Sequence, residues 1–355
     1  MKKTLLALSV LAASTGVHAI ENGTPVTATD FPSIVEMDCT GTIIGGKWVL
    51  TAAHCTYANT AGLRPVNLVG AEVPTDGSSL LTRVNAINEY KFTQGAASDI
   101  SLWELVRTPE VNRVLFLSNT PIERDLTSKF TIYGFGQTNQ KLNSATYVID
   151  NYGHEDEEIL FLRANSHSTT ISGDSGAPYL LNGKIAAIHN RAEITEPPLG
   201  QEGENYHGTT ATRLSYSQDW ILETVNGWHH PTIGTVEAGK SKTIEVQSLH
   251  MSAISDDAST VGDIEIDVAN SSCLNGLIQP FDICTYTVTS ESGYEGTLTL
   301  DDGQTVVFNK GKSKPVTPPA PAPDEGGSSG GSIGFLSSLA LLGFGFLRGR
   351  HPRNG

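Results

Sequence analysis

Gly173-Asp174-Ser175-Gly176 follows Thr51-Ala52-Ala53-His54-Cys55 in the chain, and Ser98-Asp99-Ile100-Ser101-Leu102 lies between the two. An imidazole, a carboxylate and a hydroxyl thus occur in the order His, Asp, Ser. A serine hydroxyl is a weak nucleophile at neutral pH. It needs an imidazole to take its proton, and the imidazole needs a carboxylate to hold its tautomer and steady the imidazolium. On this reading Ser175 is the nucleophile, His54 the general base and then acid, and Asp99 the orienting group. Gly173, without a Cβ, lets its N–H lie close to a developing oxyanion, beside the N–H of Ser175. A lone Gly-x-Ser-Gly is a weak signal. Three segments in this order, with these flanks, are a strong one.

The chain resembles the trypsin/chymotrypsin-like serine endopeptidases over residues 20 to 228. The likeness rests on Ile20-Glu21-Asn22-Gly23, Cys39 to Cys55, Asp99 to Leu105, Gly173 to Pro178 and Trp220-Ile221. It implies an all-β fold of two six-stranded antiparallel β-barrels with the three groups in the cleft between them. Short apolar runs such as Trp48-Val49-Leu50, broken by Gly, Asn and Asp, agree with all-β structure. The spacing of Cys39 and Cys55 is that of the family's disulfide beside the histidine. Cys273 and Cys284 lie far from them. Four cysteines allow three pairings, and local pairing is the one favoured. No Cys-x-x-Cys or paired histidine flanks them, so neither a metal nor a cofactor is expected. Ile171 stands where the family carries a cysteine beside the nucleophile, which leaves that loop without its usual disulfide.

Met1-Lys2-Lys3, an apolar run from Leu5 to Val17 and Val17-His18-Ala19 read as a signal peptide over residues 1–19. Signal peptidase is thus an expected partner. Cleavage after Ala19 would expose Ile20, whose ammonium, by the resemblance, pairs with Asp174 and orders the oxyanion hole. No Arg or Lys lies between Lys3 and Ile20, so the same cut is read as the activating one, with no zymogen stage.

The trypsin-like pocket carries an aspartate six residues before the nucleophile. Thr169 is there, which disfavours cleavage after Arg or Lys. His189 and Thr170 match the histidine and hydroxyl that bind the substrate carboxylate in glutamyl endopeptidases, and Arg191 is read as added positive charge. Charge-assisted hydrogen bonds of this kind are the strong ones. The reading is a P1 preference for Glu, with a small or polar residue as the alternative. Residues 191 to 207 read as a loop over the pocket. Its four glutamates run against an acidic substrate, but exposed charge is screened within ~8–10 Å.

Beyond the closing helix at Trp220 to Val225, Gly227-Trp228-His229-His230-Pro231 reads as a domain boundary and linker. Thr243 to Val246, Ile264 to Val268, Thr285 to Val288 and Thr305 to Phe308 are β-branched runs. They predict a small Ig-like β-sandwich over residues 229–309, a spacer or accessory domain. Residues 310–332 are a Pro/Gly/Ser-rich linker, stiff and then flexible. Residues 333–347 are apolar and are followed by Arg348, Arg350 and Arg353. Gly330-Gly331, a transmembrane-like helix and a basic tail over residues 333–355 resemble the GlyGly-CTERM sorting signal. That resemblance implies a rhombosortase-like processing protease and the type II secretion machinery as partners. Together with the protease it points to Vibrio-type extracellular trypsin-like proteases, anchored transiently at the inner membrane of a Gram-negative bacterium and then secreted or held at its surface.

The 355 residues carry a formal net charge of −15, with no basic patch, which argues against a nucleic-acid partner. Two functions from different classes follow. One is a secreted serine endopeptidase acting on proteins or peptides through an acyl-enzyme. The other is an inactive protease-like binding or adhesion module.

Overall fold

The computed structural model describes residues 19–56, 65–90, 99–136, 140–150, 158–164, 166–195 and 206–315. The signal peptide up to residue 18, the end of the linker and the tail helix of residues 333–355 lie outside them. Among the described residues no helix is long and apolar enough to cross a membrane.

The first barrel is made by β2 (Ile34–Glu36), β3 (Thr40–Ile44), β4 (Trp48–Thr51), β5 (Pro65–Asn67), β6 (Leu81–Glu89) and β7 (Ser101–Leu105). They close in the order β2-β3-β4-β7-β6-β5. Val35, Ile43, Val49, Val66, Val84 and Trp103 fill its interior. Alternation along β6, buried at Thr82 and Val84 and exposed at Arg83 and Asn85, is the period-two pattern of a strand with one wet face.

The second barrel uses β8 (Lys129–Gly134), β9 (Leu142–Ile149), β10 (Ile159–Ala164), β11 (Pro178–Leu181), β12 (Lys184–Thr195) and β13 (Tyr206–Arg213). The strands run β9-β10-β13-β12-β11-β8, and β8 returns to pair with β9. The N-terminal β1 (Thr24–Val26) adds to the edge of β9. Phe130, Ile132, Tyr147, Leu160 and Tyr179 form its core, with the ring of Tyr147 edge-on to Tyr179 at 5.8 Å. A separate cluster of Ile44, Leu50, Leu102, Leu180 and Ile188 joins the two barrels along the cleft. The family resemblance implies two six-stranded antiparallel barrels, and these are they.

Helix α1 (Gln218–Val225) ends at Asn226, which turns left-handed at φ 37° and donates its N–H to the Leu222 carbonyl at 2.8 Å. The chain enters the next body at once. Eight strands follow: β14 (Gly227–His229), β15 (Ile233–Gly234), β16 (Lys240–Leu249), β17 (Ser259–Gly262), β18 (Glu265–Ile266), β19 (Ile283–Ser290), β20 (Gly296–Thr299) and β21 (Thr305–Phe308). They form two four-stranded sheets, β14-β16-β19-β18 and β15-β21-β20-β17, over a shared core of Trp228, Val246, Tyr286, Leu298 and Phe308. A disulfide joins Cys273 to Cys284.

Three expectations need correction. Gly227–His229 is not a linker but a strand paired to β16, and His229 and His230 are buried. The run from Ile264 to Val268 gives only two strand residues, because Asp267 caps a short 3-10 turn by accepting from the Asn270 N–H. The stretch after Arg191 is not a loop from its start. β12 continues to Thr195 and pairs with β13 in register up to Tyr206, so backbone ladder hydrogen bonds carry the strand past Arg191.

The second body is also not a detached bead. Leu249 and Phe281 belong to the same apolar cluster as Leu50 and Leu102. Gln247, fully buried, accepts from the Leu117 N–H at 2.9 Å and donates to the Leu117 carbonyl at 2.8 Å. His229 Nε2 donates to the Leu115 carbonyl at 2.9 Å, and Thr232 accepts from Val111 N–H at 2.9 Å. The segment linking the two barrels is therefore held by three polar side chains of the C-terminal body. A buried polar group without such partners costs several kcal/mol, roughly 2–7 by transfer scales.

Candidate active site

Strand register brings the first two groups together. β4 and β7 are antiparallel with Thr51 opposite Ser101, so residues just after Thr51 meet residues just before Ser101. Asp99 and His54 are those residues. Asp99 Oδ2 lies 2.6 Å from His54 Nδ1, and Oδ1 accepts from the His54 backbone N–H at 2.8 Å. The carboxylate thus grips both ring and backbone, which sets the ring plane. Asp99 is buried and His54 half-buried. Cys39 and Cys55 are bonded to each other and clip the histidine's 3-10 turn (Ala53–Thr56) to the start of β3. Their sulfurs lie near the imidazole, but sulfur in a disulfide is not a thiolate, so the cluster offers a metal only one real ligand.

Ser175 comes from the turn before β11. Its Oγ donates to the Asn190 carbonyl at 3.4 Å. Gly176 N–H donates to the His189 carbonyl and His189 N–H to the Ala177 carbonyl, both at 2.8 Å, which carries the β11–β12 ladder up to the serine. Two glycines make the turn feasible. At Gly173, φ is +96°, and a Cβ would lie 2.2 Å from the Gly136 carbonyl oxygen. At Gly176, φ is +81°, and a Cβ would lie 2.1 Å from Thr51 Oγ1. Among the described residues the N–H groups of Gly173 and Ser175 donate to no acceptor. Backbone donors of this kind, two residues apart in one turn, are able to bind negative charge where they converge.

Asp174 sits behind this turn and is fully buried. Its carboxylate accepts from Ile20 N at 3.2 Å, Ile171 N at 2.8 Å and Gly136 N at 2.9 Å. Burial raises its pKa to about 6, and the three backbone donors pull the other way. Ile20 is itself fully buried, and the Ala19 carbonyl accepts from Asn143 Nδ2.

The candidate pocket residues separate. Thr170 is buried beside the Tyr147 phenol, with which its hydroxyl and backbone N–H interact. Thr169 is half-buried and pairs by its N–H with the Glu21 carbonyl at 2.9 Å. His189 is buried inside β12, with Nδ1 2.9 Å from Thr209 Oγ1 and its ring edge-on to Tyr179 at 5.9 Å. Burial first, and then the charge of His54, lower its pKa to about 3, so it is neutral near pH 7. Arg191 does not add charge at the pocket floor. Its side chain is largely exposed, and Glu193 Oε1 accepts from its Nε and Nη2 at 3.0 and 2.8 Å. Alternation along β12 explains this: the residue two after an inward histidine, past a register shift, points out. Sequence reading passed over Thr209, Asn190 and Thr40, whose roles come from strands distant in the chain and leave no local signal.

The model of the family described as Trypsin matches residues 20–221. A collagenase of Hypoderma lineatum is 25% identical over 229 residues, 59% of this chain and 84% of its own. An uncharacterized peptidase of Corynebacterium glutamicum (strain R) is 28% identical over 208 residues, 52% of this chain and 70% of its own. Among solved structures, neuropsin, a serine protease of mouse brain, covers 57% of this chain and 98% of its own at 20% identity and TM-score 0.45. The VesB protease of Vibrio cholerae covers 81% and 99% at 18% identity and TM-score 0.42.

Proposed function

The chain belongs to the trypsin family and is a serine endopeptidase, and from that premise we propose that Ser175, His54 and Asp99 carry its reaction. Ser175 Oγ attacks the scissile carbonyl carbon while its proton passes to His54 Nε2. The carbonyl oxygen becomes an oxyanion between the N–H groups of Gly173 and Ser175. His54 then protonates the leaving amine, and an acyl-enzyme remains on Ser175. Water, deprotonated by His54, releases the acid. The Asp99–His54 contact at 2.6 Å carries this reading, because it fixes Nδ1–H toward the carboxylate and leaves Nε2 as the base. Fluorophosphonate labelling of the secreted protein tests it. Wild type should label and Ser175→Ala should not. An unlabelled wild type favours the inactive binding module.

In this proposal signal peptidase cuts after Ala19 and the new Ile20 ammonium stays at its place 3.2 Å from the Asp174 carboxylate. One cut then serves both export and activation. Edman sequencing of secreted protein should begin at Ile20, and any other start refutes it.

The P1 pocket is proposed to prefer Glu. The Thr170 hydroxyl and the imidazole of His189 are its donors. With no carboxylate at position 169, Arg and Lys lack a counter-ion. A peptide library should show cuts after Glu that disappear in Ser175→Ala. Cuts after Arg or Lys would overturn the pocket assignment.

The domains are proposed as a protease over residues 20–228 and an Ig-like accessory domain over 229–309, with β14 (Gly227–His229) crossing that boundary into the second body's sheet. A linker (310–332) and a GlyGly-CTERM-like tail (333–355) follow. The tail would be cut by a rhombosortase-like enzyme near Gly331 and the protein passed to type II secretion. Mass spectrometry of the mature C-terminus checks this: an intact Gly355 rules it out.

A further inference from the structure

We propose that Thr40 is a positioning residue for the oxyanion hole, an assignment that rests on the triad reading above. Thr40 opens β3, directly after Cys39, and is fully buried. Every polar group it has is used at the junction of the two barrels. Its hydroxyl donates to the Gly173 carbonyl at 2.9 Å and accepts from the Phe135 N–H at 3.0 Å. Its N–H donates to the Ser175 carbonyl at 2.8 Å. Its own carbonyl accepts from Thr51 Oγ1 at 2.8 Å.

Two carbonyls of the nucleophile turn, those of residues 173 and 175, therefore end on one residue of the other barrel. Peptide planes are rigid, so tying a carbonyl also orients the N–H of the next residue and limits rotation on both sides. The N–H groups of Gly173 and Ser175 make no hydrogen bond of their own among the described residues. The plane of the Ser175 N–H is set by the Asp174 carbonyl, which accepts from the Ala177 N–H at 2.9 Å, and Thr40 holds the peptide planes on either side of it. Gly173, at φ +96°, is a residue whose backbone has wide freedom unless something restrains it. No disulfide closes this loop: Ile171 stands beside it, and the Cys39–Cys55 bridge touches it only through Cys55 Sγ, 3.8 Å from the Ser175 carbonyl oxygen. The Thr40 hydroxyl is the one side-chain donor that reaches Gly173 among the described residues. Phe135 N–H, the second partner of that hydroxyl, precedes Gly136, whose carbonyl lines Gly173 and whose N–H binds Asp174. The hydroxyl thus joins the three segments that enclose the hole: the nucleophile turn, the end of β8 and the start of β3.

Preorganised donors act on the transition state and not on the bound substrate, and loss of one costs ~10²–10³ in kcat. A donor that is loosened and not removed should cost less, about 10–100-fold, with KM nearly unchanged. Thr40→Val keeps the shape and deletes the hydroxyl. Thr40→Ser restores it. Thr40→Gly deletes the side chain and leaves room for water. Mature secreted variants are compared at equal active-site titre, counted with fluorophosphonate, on a peptide that wild type cleaves. Two inhibitors separate positioning from folding. A peptide aldehyde forms a hemiacetal oxygen in the hole, while the reduced-amide peptide has no such oxygen.

In Thr40→Val we expect kcat to fall 10–100-fold. The aldehyde should weaken by the same factor, the reduced amide should bind as before, and Thr40→Ser should stay near wild type. Equal weakening of both inhibitors, or an unchanged kcat, overturns the assignment. If Thr40→Val does not fold, the Gly and Ser variants decide it: equal kcat in those two overturns the assignment, and a lower kcat in Thr40→Gly supports it. An unlabelled wild type instead removes the triad reading and this proposal with it.

Discussion

The histidine and serine sides of the cleft are held in different ways. His54 lies in a turn closed by a covalent bond, Cys39–Cys55, spanning 16 residues of sequence, and its ring is gripped by a carboxylate on the neighbouring strand. Ser175 lies in a turn that no disulfide closes, although Cys55 Sγ packs 3.8 Å from its carbonyl oxygen. It is held by single hydrogen bonds from residues far away in the chain, Thr40 to Gly173 across 133 positions and Ile20 to Asp174 across 154. A disulfide acts largely by limiting the unfolded chain, whereas the serine turn depends on native contacts alone. The histidine side should therefore tolerate local damage in shape, and the serine side should lose catalytic geometry before it loses fold.

Four outcomes would sharpen or break that contrast. Asp99→Asn should lower kcat by about 10⁴-fold with the fold intact, since the wrong tautomer of His54 is then favoured. A loss below about tenfold would mean the carboxylate is not the orienting group. Titration comes next. His189 and His229 are buried and neutral, with pKa values lowered to about 3 and about 4, mainly by burial. The unfolded chain takes up these protons near pH 6.5, so their contribution is complete above that pH and is lost as pH falls toward 4. Each should cost about 3 kcal/mol of stability at pH 4 relative to pH 7. Urea melts at both pH values check this, and a flat profile would refute it.

Asp174 works in the opposite sense while the bond before Ile20 is intact. Its pKa, raised to about 6 by burial, means that stability falls as pH rises from about 4 to 6, by about 3 kcal/mol. Cleavage supplies an ammonium and should reverse the trend. Melts of protein with and without residues preceding Ile20 test it, and identical pH profiles would break the proposed pairing. The smallest effect is at the domain junction. Gln247→Ala leaves the buried N–H and carbonyl of Leu117 without partners and should destabilise by about 2 kcal/mol while sparing KM. An unchanged melt would show that the apolar contacts of Leu249 and Phe281 suffice.

The triad positions were legible because each sits in a local word whose flanks carry meaning, and the barrels followed from the resemblance those words support. The full length of β12 was not legible: Arg191-Ala192-Glu193-Ile194-Thr195 alternates over too few residues to stand apart from the glutamate- and proline-rich stretch after it, and its ladder to β13 makes it a strand. β14 and β15 are too short to show a period, and they sit where two histidines and a proline read as a linker. The place of Arg191 was misread for a related reason. Spacing gives distance along the chain, while the face a side chain takes depends on register, and register shifts between His189 and Arg191.

The amino-acid sequence by itself determined which groups are present and their order: His54, Asp99 and Ser175, the four cysteines, the glycines that allow the turn, and a threonine in place of an acid at position 169. Tertiary structure alone decided which of them act on one another. It made His189 neutral by burying it, turned Arg191 toward solvent and Glu193, and set Thr40 against Gly173. The physical reason is that chemistry resides in side-chain types, which are local, whereas burial, hydrogen-bond satisfaction and charge depend on neighbours that strand pairing brings from more than a hundred positions away.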